Sequence, residues 1–243
     1  MKVKEIMKVT VSHNEEDHMT IEREGRMGNR DLHLFFLLDA SDSMSYGGKV
    51  ETLNNAIREA IPHIREIARE AEGSIKVHAL SFSTGARWIT KNVDIRDFTW
   101  DNISTKGVTD MGRGFEILAE KLSSDFQGER GYQPVMILLS DGLPTDDYEA
   151  GLKKLLATKW GSKAIRISIA IGSETDMDVL QDFIGDSFRG ELKPLKAKNA
   201  SELKNYIRWA STAASNASIN PMKAMLPPPP TVADEVSAEE IDW

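Results

Sequence analysis

The chain has 243 residues, of which 40% are hydrophobic and 28% charged, with a net charge of −8 and no cysteine. That length holds one α/β domain with a full core, or two small ones. The acidic balance excludes a general nucleic-acid binder, which needs a basic footprint to displace counterions from phosphate. Without cysteine there can be no disulfide, thiolate zinc site or cysteine nucleophile, which fits a reducing compartment. Met1 to Lys8 lacks the apolar stretch of a signal peptide. No segment approaches the roughly 20 apolar residues that span a bilayer. The expectation is a cytosolic protein that binds neither membrane nor nucleic acid.

In chain order, residues 1–30 hold two short alternating runs, Met7–Val11 and Met19–Ile21, that read as an added hairpin or a leader. Leu32 to Leu38 is nearly continuous apolar, as a strand buried on both faces should be. Val50, Leu53, Ile57, Ile61, Ile64 and Ile67 recur at helical steps, with Pro62 expected to kink the helix rather than end it. A strand over Ile75–Phe82 and a short edge strand over Ala86–Thr90 follow, then a helix over Met111–Leu122. Strands at Val135–Leu139 and Ile165–Ile171 flank a helix over Tyr148–Lys159. A helix at Met177–Ile184, a strand near Leu192–Leu195 and a helix from Ser201 to about Ala214 complete the unit.

This alternation predicts an α/β fold over residues 31–216: a doubly wound, mostly parallel sheet with one short antiparallel edge strand and helices on both faces. Residues 217–243 form an extension with four consecutive prolines, Pro227–Pro230. Beyond the prolines the chain carries five acids, no base and Trp243. That composition reads as solvated tail or as a recognition peptide with an aromatic anchor.

The richest chemistry follows the first strand. Asp39-Ala40-Ser41-Asp42-Ser43 puts a carboxylate and two hydroxyls on one turn. Thr109 sits in a polar loop before a helix, and Asp141 ends the second apolar run. In an open parallel sheet the carboxyl ends of the strands converge on one crevice, so Asp39 and Asp141 should meet at one rim. An all-oxygen set of this kind suits a hard cation such as Mg²⁺.

Asp39-x-Ser41-x-Ser43, then Thr109, then Asp141-Gly142 resembles the metal-ion-dependent adhesion site (MIDAS) of von Willebrand factor A domains, with all five positions filled in order. The family usually has glycine where this chain has Asp42, a residue that tolerates a left-handed turn. The resemblance implies that Asp39, Ser41, Ser43, Thr109 and Asp141 hold Mg²⁺, with Mn²⁺ or Ca²⁺ as alternatives, directly or through water. It further implies that a protein partner supplies an Asp or Glu to the metal's open position. Asp141-Gly142-Leu143-Pro144-Thr145-Asp146-Asp147-Tyr148 is similar to bacterial tellurium-resistance TerY-type domains. That likeness implies a stress-response or defence setting with a protein kinase or phosphatase as partner.

Enzyme patterns are poor by comparison. Gly185-Asp186-Ser187-Phe188-Arg189-Gly190 has one residue too many for a nucleophile elbow. Gly112-Arg113-Gly114 lacks the third glycine and the preceding strand of a dinucleotide loop. His13, His18, His33, His63 and His78 show no zinc spacing, and His33 and His78 read as strand-packing residues. For Asp146 and Asp147, capping of a helix from Thr145 and a supporting role at the site fit equally. The expectation is a binding adaptor and no enzyme. Its rivals are a Mg²⁺-dependent hydrolase using Asp39 as base or nucleophile, kept open by Asp42, Asp110 and Asp146, and a structural subunit braced by metal.

Overall fold

Leu34, Phe36 and Leu38 point into one core, and Phe35 and Leu37 into another. The period of two along a strand makes any continuous apolar run two-faced, so this segment has to sit at the centre of the sheet with layers on both sides. The computed structural model describes residues 30–70, 74–126, 131–172, 175–186, 190, 192–220 and 226–230. The 1–30 hairpin reading falls outside them, save for Arg30.

The strands are β1 (Leu32–Asp39), β2 (Ile75–Ser83), β3 (Gly85–Asp94), β4 (Val135–Ser140), β5 (Ile165–Ile171) and β6 (Leu195–Ala197). They form one six-stranded sheet in the order β3-β2-β1-β4-β5-β6, every pair parallel except β2 with β3. The helices are α1 (Lys49–Glu70), α2 (Met111–Ser124), α3 (Tyr148–Ala157), α4 (Lys159–Lys163), α5 (Met177–Ile184) and α6 (Ala200–Ile219). α1 and α6 cover one face, through Leu53, Ile57, Ile64, Leu203 and Ile207. α2 to α5 cover the other, through Phe115, Leu118, Leu155 and Phe183. The mostly parallel, doubly covered architecture matches the fold class read from the sequence.

The strand order reverses between β1 and β4: the chain builds outward from β1 through β2 and β3, then returns to the other side of β1 with β4. In sheets of this type the crevice at the carboxyl ends of those two strands is where ligands sit. Pairing of Leu38 with Leu139 brings Asp39 and Ser140 to the same level at that rim.

Four details differ from the sequence reading. The edge strand β3 spans Gly85–Asp94, longer than Ala86–Thr90, because its half-exposed edge position tolerates polar residues such as Lys91 and Asn92. The stretch expected as one helix from Tyr148 breaks at Thr158, whose backbone is extended. Thr158 Oγ1 accepts from the Gly161 N–H and restarts the chain as α4. β6 lies at Leu195–Ala197, a little beyond the expected position. Finally α6 continues to Ile219 rather than stopping near Ala214: Ala217 and Ser218 are buried, and the Ser211 and Ser215 hydroxyls donate back to the Ile207 and Ser211 carbonyls. Pro62 is accommodated within α1.

Candidate metal centre

Asp39 is the last residue of β1 and is fully buried. Its Oδ1 accepts from the Ser41 backbone N–H at 2.9 Å, which closes the chain into a tight turn. Its Oδ2 accepts from the Ser140 hydroxyl at 2.6 Å, across the β1–β4 seam. The turn brings the Ser41 and Ser43 hydroxyls to 2.9 Å from each other. The Ser43 hydroxyl in turn donates to Asp141 Oδ1 at 2.7 Å. A Cβ placed on Gly142 would fall 3.6 Å from Ser43 Oγ and 3.7 Å from Thr109 Oγ1, so these two hydroxyls face one point from opposite loops. All five sequence-predicted residues are therefore brought to one rim: Asp39 and Asp141 from strand ends, Ser41, Ser43 and Thr109 from loops.

The turn after Ser41 solves its backbone problem away from Asp42. Among the described residues the only non-glycine with positive φ is Asn92, so Asp42 does not occupy the left-handed region expected for it. Gly47 (φ 61°) and Gly48 (φ 70°) take that conformation instead, just before α1 begins. The exposed Asp42 is held by its backbone, its N–H donating to the Gly107 carbonyl at 2.9 Å and its carbonyl accepting from the Ser45 hydroxyl.

Thr109 is fixed by a loop that sequence reasoning did not connect to it. The Thr109 N–H donates to Thr145 Oγ1 at 3.0 Å, and the Thr145 N–H donates to the Thr109 carbonyl at 2.9 Å. Thr145 is thus a clasp on Thr109 and caps no helix, a correction to the capping reading. Asp147 caps α3 by accepting from the Ala150 N–H. Asp146 reaches across to α2, accepting from the Gly112 and Arg113 N–H groups at 2.9 and 2.8 Å. Those donors lie in the first turn of α2, where a carboxylate meets the positive end of the helix dipole. Gly112 and Gly151 let the two helices touch: a Cβ on either would fall within 2.5 Å of the other helix's backbone or its lead-in. Further back, buried Asn54 donates to the Ile103 carbonyl and accepts from the Ile103 N–H and the Trp100 indole, bracing the loop that leads to Thr109.

Burial pushes the Asp39 carboxyl above its usual range, and the neighbouring Asp141 adds to this, against hydrogen bonds from Ser140 and Ser41 that favour the charged form. Asp141 has a cation of its own: Lys49 Nζ lies 2.8 Å from its Oδ2. Ser140 carried a readable signal, as a hydroxyl that ends an apolar run directly before Asp141. Lys49 carried none, because a lysine opening a helix is ordinary.

The donor set fits a hard divalent cation. It offers two carboxylates and three hydroxyls, with neither imidazole nor thiolate. Among the described residues no group of three or more Asp, Glu or His gathers, so this hydroxyl-rich set leaves much of a cation's charge unneutralised. His33 and His78 do meet, 3.0 Å apart across β1 and β2, inside a cage of Phe35, Phe126 and Trp88 remote from this rim.

The rim itself is partly apolar. Tyr46, Val108 and Leu143 are 72%, 46% and 58% exposed, and each stands within three residues of a donor on its own loop.

The von Willebrand factor type A domain model matches residues 33–208. No curated protein sequence matches the chain significantly. Among solved structures it is similar to proximal thread matrix protein 1 from the mussel byssus, solved with a zinc-occupied MIDAS motif (17% identity, TM-score 0.55, 77% of this chain and 48% of that one). It is also similar to the ArnB paralog VWA2 from Sulfolobus acidocaldarius (16%, TM-score 0.56, 74% and 45%). A third is the pilus adhesin SpaC from Lactobacillus rhamnosus GG in an open conformation (14%, TM-score 0.61, 79% and 31%). The chain thus spans less than half the length of each of these structures, and at such identities the likeness is one of fold.

Proposed function

The chain belongs to the von Willebrand factor type A domain family, one with metal-site protein-interaction roles, and from that premise we propose that it is a metal-dependent binding module for an acidic group on a protein partner. The observation that carries this reading is the convergence of Asp39, Ser41, Ser43, Thr109 and Asp141 on one rim. Asp39, Ser41, Ser43 and Asp141 would hold the ion, with Thr109 opposite them. A divalent cation bound there would offer an open position to a partner's Asp or Glu. An all-oxygen set favours Mg²⁺ or Mn²⁺, with Ca²⁺ the larger alternative. Zinc stands in the mussel relative's site, but this set has no nitrogen or sulfur ligand to prefer it.

The chain's own residues do the positioning. Ser140 holds the Asp39 carboxylate in place, while Lys49 pairs with Asp141 at 2.8 Å and would compete with the ion for it. The Thr145 clasp keeps the Thr109 hydroxyl at the rim. Two of the carboxylates that kept a hydrolase open, Asp110 and Asp146, are engaged elsewhere. Asp110 accepts from the Gly85 N–H and the Thr145 hydroxyl, and Asp146 spends both oxygens on α2. Among the described residues no helix is long and apolar enough to cross a membrane. A cytosolic setting accords with this and with the lack of cysteine. The likeness of Asp141–Tyr148 to tellurium-resistance domains supports a bacterial stress-response role with a kinase or phosphatase partner.

A titration of Mg²⁺, Mn²⁺ and Zn²⁺ into wild type and Asp39→Ala, followed by calorimetry, tests the site. Affinity capture with Mg²⁺ and with chelator tests the binding role. Identical metal responses in the two proteins would remove the reading. So would reproducible ester or nucleotide hydrolysis that disappears in a Ser41→Ala/Ser43→Ala variant, which would put an enzyme in its place.

A further inference from the structure

Tyr46, Val108 and Leu143 are the exposed large hydrophobics among the described residues, and all three stand at the metal centre. Single exposed apolar side chains are ordinary, but their gathering at one rim marks a contact surface. A ligand that fits this rim presents a carboxylate between large apolar side chains. The cation Lys49 beside Asp141 adds to the preference for an anion.

The chain carries such a segment itself. Ile241-Asp242-Trp243 sets an acid between isoleucine and tryptophan. The path toward the rim can be traced. α6 starts just after β6, at the carboxyl edge of the sheet, and descends to Ser218, whose hydroxyl donates to the Gln133 carbonyl beside the start of β4. Beyond it the chain has turned back: the Pro227 carbonyl accepts from the Trp209 indole N–H at 3.1 Å, and Leu226 packs on the core of the same face. Trp209 lies ten residues up the helix from Ile219, about 15 Å at ~1.5 Å per residue. The prolines thus lie beside the middle of α6, on the side of the sheet that α1 shares, and α1 opens with Lys49 at the centre. The rest of α6 above Trp209 covers only about 14 Å. Asp242 lies twelve positions beyond Pro230, a reach of up to ~40 Å at ~3.3 Å per residue.

We propose that Ile241-Asp242-Trp243 docks in cis on this centre, Asp242 as its acidic ligand and Ile241 and Trp243 against Tyr46, Val108 and Leu143. The site is then self-occupied until a partner carrying an acid between apolar residues displaces the segment. This rests on the metal-binding reading above. A tethered ligand acts at an effective concentration that reaches the millimolar range, so against a weak intrinsic affinity it lowers that of a free competitor about tenfold or more.

The test uses the full chain and a fluorescent, C-terminally amidated peptide Ser-Ala-Glu-Glu-Ile-Asp-Trp, read by anisotropy in Mg²⁺. The peptide should bind Asp242→Asn about tenfold more tightly than wild type. It should fail to bind Asp39→Ala, or any form in chelator. Tyr46→Ser, made in the Asp242→Asn chain, should weaken the peptide severalfold while Mg²⁺ alone still binds by calorimetry. Equal peptide affinity for wild type and Asp242→Asn, or none for either, overturns the proposal; Mg²⁺ heats that are normal in wild type and lost in Asp39→Ala then leave the metal reading standing. Absence of any Mg²⁺ heat removes both. A Mg²⁺-induced doubling of mass that Asp242→Asn abolishes makes a second copy the occupant and overturns docking in cis.

Discussion

At the scale of single residues, the centre concentrates its tension on Asp39. Its carboxyl is raised above the ordinary range by burial, so the folded, metal-free chain binds that proton more tightly than the unfolded chain does. The associated stability is present below the unfolded value and is lost as pH rises through the folded one. In the metal-free protein burial thus works against the charged form of Asp39, a penalty that a cation at the rim would offset. Asp39→Asn should melt higher than wild type in chelator and should gain nothing from Mg²⁺. Wild type at a hundred times the dissociation constant should gain about 2.7 kcal/mol. Thermal melts of both proteins with Mg²⁺ and with chelator check the crossing. Lys49 sets the opposite bias, because a cation 2.8 Å from Asp141 Oδ2 competes with any metal for that carboxylate. Lys49→Met should tighten Mg²⁺ binding severalfold, measured by calorimetry at low salt.

Elements matter here through their ends. α2 begins two residues after Thr109, and its first free N–H groups are satisfied by Asp146 from the loop after β4. One carboxylate therefore ties the Thr109 loop to the Asp141 loop. Asp146→Ala should cost about 1 kcal/mol, the usual worth of a cap, and should also weaken Mg²⁺ binding. Asp147→Ala removes the cap of α3 at a similar cost of about 1 kcal/mol and should leave metal affinity unchanged. Chemical denaturation paired with metal titration separates the two. The crossing of α2 and α3 is equally demanding. A Cβ on Gly151 would sit 2.3 Å from the Gly112 carbonyl oxygen, so Gly151→Ala should destabilise by roughly 1–3 kcal/mol through overpacking.

For the molecule as a whole, the β1–β2 pairing buries an imidazole pair that sets a limit on acid stability. The Asn92 N–H donates to His78 Nδ1 at 3.1 Å, which leaves the proton on His78 Nε2 to donate to His33 Nδ1 at 3.0 Å. Both rings are thus held neutral, and burial lowers His33 to about 4 and His78 to about 2, from an ordinary 6.5. With folded values below the unfolded one, the unfolded chain binds more protons as pH falls. Their stabilising contribution is complete above 6.5 and is lost on the way down through about 4. Denaturation free energies should fall over that window in wild type. The slope should flatten in a His33→Leu/His78→Leu variant, whatever its stability at neutral pH. An unchanged slope would place the acid sensitivity elsewhere.

How much of this was legible in the residues alone follows from the range of each interaction. The two-faced run Leu32–Leu38 could only be a central strand, and an aspartate at its end could only lie at the rim of a parallel sheet, so the fold and the meeting of Asp39 with Asp141 at one rim were readable from local pattern. The grouping of Ser41, Ser43 and Thr109 with them as one site came from the resemblance to the adhesion-site motif. Helix breaks and ends were less so. Thr158 interrupts a helix through one capping bond, and α6 continues through Ala217 and Ser218 because packing buries them, an effect that propensity does not contain. What tertiary structure alone decided are the partnerships across the chain. Asp146 could cap its own helix or a neighbour's, Thr145 could cap or clasp, and Lys49 could face solvent or Asp141; in each case the local sequence permits both. Helix packing at Gly112 and Gly151 and the β1–β4 seam choose between them, because a hydrogen bond over 3 Å needs two backbones placed by contacts distant in sequence.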